Sequence, residues 1–154
     1  MKTGNAKLTK IMNIACAVIA LVLLVMQFTP FWYMGEDTEP VSIGGYIWFP
    51  SDHKTLDSQL SAEIEGYSIG DAVPMAVLLL VLSAVGIVLC ILRMNNALSA
   101  LVPLACGLIG TFGYLLQPAY RMGSGWQLHC LVCVAMAALA AVTLAAGLRR
   151  MRQQ

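Results

Sequence analysis

Cys130-Leu131-Val132-Cys133, preceded by His129, is the segment whose residue types and spacing suggest covalent chemistry. Two thiols at this spacing near the start of a helix can close a short disulfide, and the helix dipole there favours a thiolate. The same residues also read as packing. A cysteine is a small apolar side chain, and Cys16, Cys90 and Cys106 read most simply that way. As metal ligands, His129, Cys130 and Cys133 lack a convincing fourth partner, so no metal site is expected. The chain shows no phosphate-binding glycine loop, paired catalytic carboxylates or serine nucleophile motif. No catalytic residue is therefore assigned beyond this low-ranked redox pair, and no cofactor is expected.

The elements that must position these thiols are membrane spans. Of the 154 residues, 59% are hydrophobic and 11% charged, against about 45–50% and about 25% in a soluble domain. Mean hydropathy is +0.77, which excludes both a water-soluble globule and a disordered chain. Four apolar runs free of Lys, Arg, Asp and Glu cover about 11–28, 72–92, 97–117 and 127–148. At helical rise each reaches roughly 27–33 Å, the thickness of a hydrocarbon core. The first follows Lys2, Lys7 and Lys10 like a signal peptide, but no small-residue cleavage pattern follows Val25, so it is read as an uncleaved span. The expected fold is an all-α membrane protein: one integral membrane domain, an antiparallel bundle of four transmembrane helices.

Charge sets the expected orientation. Lys2, Lys7, Lys10, Arg93, Arg149, Arg150 and Arg152 fall on one side of the four-span arrangement, and only Lys54 and Arg121 on the other. Cytoplasmic flanks retain Lys and Arg, so both termini are expected in the cytoplasm of a multi-pass plasma membrane protein. All eight acids, Glu36 to Asp71, lie in the outer loop 29–71 with Lys54, leaving it seven net negative charges. The inner positive charges match topology and anionic lipid better than nucleic acid.

Loop 29–71 is too long for a plain connection in so compact a protein, so it is either mobile or has its own structure, and its pattern favours structure. Val41-Ser42-Ile43 and Tyr46-Ile47-Trp48-Phe49 are β-prone, and Gly44-Gly45 between them fits a hairpin turn. Leu56, Leu60 and Ile64 recur every four residues before Gly66, the pattern of a short amphipathic helix. The expected cap is thus a β-hairpin plus this helix. Trp32, Tyr33, Tyr46 and Trp48 are its candidate partner-binding and rim-anchoring residues. A four-span chain with such a loop resembles, in outline, the claudin and tetraspan junctional proteins. That family's loop has Gly-Leu-Trp followed by two cysteines, whereas no loop cysteine follows Tyr46-Ile47-Trp48 here. The resemblance implies a helix bundle with an exposed interaction cap, without the barrier function.

A four-span bundle with Cys130-Leu131-Val132-Cys133 opening the fourth helix also resembles the vitamin K epoxide reductase family, whose members couple thiol oxidation to a quinone. The resemblance covers topology, approximate length and that motif, and it implies a redox role for Cys130 and Cys133. The family relays electrons through a second cysteine pair in the first outer loop. Residues 29–71 contain none, so a partner protein would have to reach the pair directly.

In lipid, small residues that permit close backbone approach are the informative packing positions. Gly86 in the second span, Gly107, Gly110 and Gly113 in the third, and Ala137 and Ala141 in the fourth, continuing to Ala145, are the candidates. Arg93-Met94-Asn95-Asn96 predicts a tight hairpin between spans two and three, Asp71 an N-cap for span two, and Pro103 a kink or an unwound end in span three. Transport pathways usually place ionisable residues in the bilayer, and here only His129, near a helix end, qualifies. The reading is a non-enzymatic accessory or interaction subunit, acting through its acidic loop or small-residue faces. Its expected partners are membrane lipids and a protein partner or second copy within the membrane. A quinone-linked thiol oxidoreductase is the alternative, and a binder of lipid or apolar small molecules near Pro103 the second alternative.

Overall fold

The computed structural model describes residues 2–28, 68–116 and 125–151, with positions 42, 44, 58, 61, 62 and 65 between them. Four long helices carry the fold: α1 Lys2–Met26, α2 Val73–Leu92, α3 Leu101–Leu116 and α4 Trp126–Met151. All four contain stretches long and apolar enough to cross a membrane, the third counted from Ala97. This is the helical framework of a small integral membrane protein. α1 begins ahead of its apolar run and α4 ends beyond its own. Lys and Arg are good helix formers, so Lys7, Lys10 and Arg149 prolong the helices while remaining exposed.

Helix ends follow local chemistry. A 3₁₀ turn, Ile69–Ala72, leads into α2. Asp71 lies within that turn, and Ala72 occupies the N-cap position with no side-chain cap bond. The expected Asp71 cap is therefore corrected by one residue. Pro74 stands in the first turn of α2, where a missing N–H leaves no bond unmade. The α2–α3 connection is tight: Arg93 N–H donates to Leu89 O at 2.9 Å and Asn96 N–H to Arg93 O at 2.8 Å. Asn96 then caps a second 3₁₀ turn, Ala97–Ala100, accepting from Leu98 N–H at 3.0 Å. Because α3 proper starts at Leu101, Pro103 falls in its first turn. The start of span three is a 3₁₀ turn that leads into this helix.

The helices close a ring in chain order. α1 packs on α2 and α4, and α3 packs on α2 and α4, while α1 barely meets α3 across the diagonal. Neighbours run in opposite directions. Gly107 lies against Ala137 and Gly110 against Cys133; at the other end of this pair, the rings of Tyr114 and His129 meet at 5.5 Å between centroids.

Burial shows what holds the ring together. The buried positions of α1 are Thr9, Asn13, Cys16, Ala20, Leu23 and Gln27, alternately four and three apart, with Ala17 and Met26 beside them. Ala72, Ala76, Leu79, Ser83, Gly86 and Cys90 repeat that spacing into α2, as do His129, Cys133, Met136, Ala140, Thr143 and Gly147 in α4. A mean period of 3.5 residues is the seam of helices crossing at about 20°. In a water-soluble coiled coil such seams are leucine and isoleucine. Here they are mostly small or weakly polar, and most of the large apolar side chains, such as Leu131 at 64% and Phe112 at 59% exposed, face outward. Hydrocarbon surroundings explain the inversion: outward Leu and Val lose nothing in lipid, so association relies on close packing and interhelical hydrogen bonds.

The expected β-hairpin finds no support. Gly44, its intended turn residue, is helical, and its N–H donates to Gln27 O at 2.7 Å beyond the end of α1. A helical Gly44 spends its backbone donor on α1 and leaves no hairpin turn at this position. No strand occurs among the described residues. Trp32, Tyr33, Tyr46 and Trp48 lie outside the described residues. So do Leu56, Leu60 and Ile64, although Ser58, Ser61 and Ala62 between them are helical.

Candidate functional site

The thiol pair opens α4 one turn inside the end of the bundle where α1 stops. Cys133 is fully buried in the central apolar cluster with Leu79, Cys106, Tyr114 and Met136, and Cys130 packs half-buried against that cluster. Both thiols are free. Gly110 of α3 makes room for Cys133: a Cβ there would collide with the Cys133 Sγ and lie 3.3 Å from Cys133 Cβ and from Leu79 Cδ2. The inner thiol is thus seated in the notch that a missing side chain leaves on the facing helix.

His129 serves α1 and its own helix. Its Nδ1 lies 2.9 Å from Gly125 O and its Nε2 3.0 Å from Met26 O. Both partners are carbonyl oxygens, which only accept. A neutral imidazole has one N–H and donates to one of them at a time, whereas imidazolium donates to both. With the proton on Nε2, or as imidazolium, the ring ties the first turn of α4 to Met26 at the end of α1. Beside it, Gln27 Nε2 donates to the Tyr114 hydroxyl at 3.2 Å and, more weakly, to Leu23 O at 3.4 Å. Its Oε1 is buried without a partner. Gln27, Tyr114 and His129 form a polar cluster joining α1, α3 and α4. Sequence reasoning missed Gln27 because it stands near the end of an apolar run. The available signal was its place four residues after Leu23 on the buried seam.

A second polar cluster stands at the opposite end. Asn13 Nδ2 donates to Met94 O at 2.9 Å and Asn96 O at 3.0 Å, clasping α1 to the α2–α3 connection, while its Oδ1 is buried and unpartnered. Ser99 Oγ donates to Asn96 O at 2.6 Å, and Cys90 Sγ to Ser99 O at 3.7 Å. Between the two clusters, hydroxyl and thiol meet twice: Ser83 Oγ with Cys106 Sγ at 3.5 Å, and Cys16 Sγ with Thr143 Oγ1 at 4.0 Å. Hydroxyls and thiols are small enough for a close helix seam, and each finds a partner inside it.

The small-residue positions divide. Gly107 is the position least able to yield, since a Cβ there would lie 2.6 Å from Ala137 N and 2.7 Å from Cys133 O, both backbone atoms. At Gly113 the nearest atoms are those of the flexible Met75 side chain, and Gly86 receives the ring of Pro103, 3.4 Å from the position of a Cβ. Ala137 is half-buried, whereas Ala138, Ala141 and Ala145 are exposed. Residues four apart advance about 40° around a helix, so a stripe of constant spacing four turns away from its neighbour. Among the described residues no group of three or more His, Cys, Asp or Glu is arranged to hold a metal ion.

Comparison with protein-family models, curated proteins and solved structures finds no match to this chain.

Proposed function

We propose that this chain is a non-enzymatic accessory or interaction subunit of the plasma membrane, with both termini cytoplasmic and its partner contacts on the acidic loop or the small-residue helix faces. One observation carries the reading: the Cys133 thiol is fully buried in the notch at Gly110. The motif best suited to chemistry is thereby used in joining α3 to α4. Its neighbour His129 is engaged with backbone carbonyls of α1 and α4. The orientation rests on the seven-to-two division of basic residues and the confinement of every acid to 36–71.

The double substitution Cys130→Ser/Cys133→Ser is the test. At these positions serine is a small steric change, and its hydroxyl can bond the preceding turn. Membrane abundance and thermal stability are expected to stay close to wild type. Acid quenching and alkylation of wild-type cells should yield no partner disulfide-linked to either cysteine. Thiol exchange proceeds through a mixed disulfide, so recovery of a partner linked through Cys130 or Cys133 would overturn the reading in favour of a quinone-linked thiol oxidoreductase.

A further inference from the structure

At the end of the bundle opposite His129, charge and shape coincide. Asn13 holds the lower part of α1 against the α2–α3 connection, and Gly147 of α4 abuts Ala97. These contacts bring Lys7, Lys10, Arg93 and Arg149 from three helices to one end, all exposed. The chain has no acid outside 36–71, so nothing in 1–28 or 93–154 neutralises them. Leu92, Arg93, Met94, Asn95 and Asn96 line an open groove of about 390 Å³ at this end. Immediately beside it the surface is apolar: Leu92 is 76% exposed, with Ile91 and Val88 also exposed along α2.

From this placement we infer that the α2–α3 connection binds the headgroup of an anionic phospholipid. Arg93 faces the phosphate, Asn95 offers an amide, and the acyl chains lie along Leu92, Ile91 and Val88. The occupant is a lipid rather than free phosphate because the groove holding Arg93 adjoins an outward apolar face through Leu92, which suits a molecule with both parts. Arg93 is the residue of choice, since a guanidinium can donate two parallel hydrogen bonds to one phosphate. Net charge alone would attract anionic lipid diffusely. The groove makes the further claim that one side chain dominates.

The test uses the full chain purified in detergent and exposed to equal amounts of phosphatidylglycerol and phosphatidylcholine, with retained lipid counted by native mass spectrometry. Phosphatidylglycerol should be retained preferentially. Arg93→Gln should lower that retention about fivefold, the effect of one cationic side chain near an anionic lipid. Arg93→Lys should restore part of it, and Arg149→Gln should change it less. Excess inorganic phosphate should not displace the lipid. Equal retention of the two lipids, equal losses in Arg93→Gln and Arg149→Gln, or displacement by inorganic phosphate would each overturn the inference. Thermal midpoints of the variants, expected to match wild type because both arginines are exposed, separate lost binding from lost folding.

Discussion

Gly107→Ala is expected to destabilise the bundle by about 3 kcal/mol, the upper end of what added volume costs in a close-packed interior. The new methyl would lie 2.6 Å from Ala137 N and 2.7 Å from Cys133 O. Neither is the end of a side chain that can swing away. Relief requires α3 and α4 to separate, and those two helices share the most extensive interface of the ring. Separation would also loosen the seat of Cys133 in the notch at Gly110. Gly113→Ala is the control, because the atoms nearest its methyl belong to the flexible Met75 side chain, and it should cost less than about 1 kcal/mol. Reversible unfolding of the purified variants, followed by far-ultraviolet circular dichroism, measures both. Equal effects at the two glycines would show that α3 and α4 are not in the described register.

His129→Leu is expected to cost about 2 kcal/mol. It removes the ring that joins Met26 O to the start of α4 and deletes the tilted contact with Tyr114. Hydrogen bonds between membrane helices average only about 0.6 kcal/mol and reach about 1.7, so this size requires loss of the ring packing as well. Tyr114 and Gln27 should be disturbed with it, since their hydrogen bond belongs to the same cluster. Gln127→Leu, on the exposed face of the same turn, should leave the thermal midpoint unchanged. A His129→Leu midpoint equal to wild type would contradict the role given to the ring.

The four spans were legible because runs of twenty apolar residues admit few other readings, and because length and charge distribution agree about them. Less legible was which face of each run turns inward. Hydropathy points to the largest apolar side chains, yet most of those of α1 and α2 face outward, and the inward seam of α1 is Asn13, Cys16, Ala20, Leu23 and Gln27. The signal was present as weakly polar and small residues alternating three and four apart. It was obscured because membrane helices contain such residues on every side. Ala141 shows the consequence: it shares a spacing-four stripe with Ala137, but the seam passes through Ala140. The hairpin expectation failed for a related reason. Gly44-Gly45 between β-prone residues is a local signal, and the Gly44 backbone is instead engaged by the end of α1.

Cys130-Leu131-Val132-Cys133 was visible from sequence, but its significance depends on what faces it. Spacing alone is compatible with a redox pair and with two packing residues one helical turn apart. The deciding residue, Gly110, is on another helix and twenty-three positions upstream of Cys133. No periodicity within α4 contains that information.

The central claim is that the Cys133 thiol is a packing group enclosed between α3 and α4. Differential alkylation in intact membranes tests it most directly, with the two cysteines resolved by peptide mass spectrometry and compared before and after denaturation. The account predicts that Cys133 is recovered as a free thiol that reacts only after denaturation, and that Cys130 reacts sooner because it is only half-buried. Recovery of a Cys130–Cys133 disulfide, or reaction of native Cys133 as fast as Cys130, would contradict it.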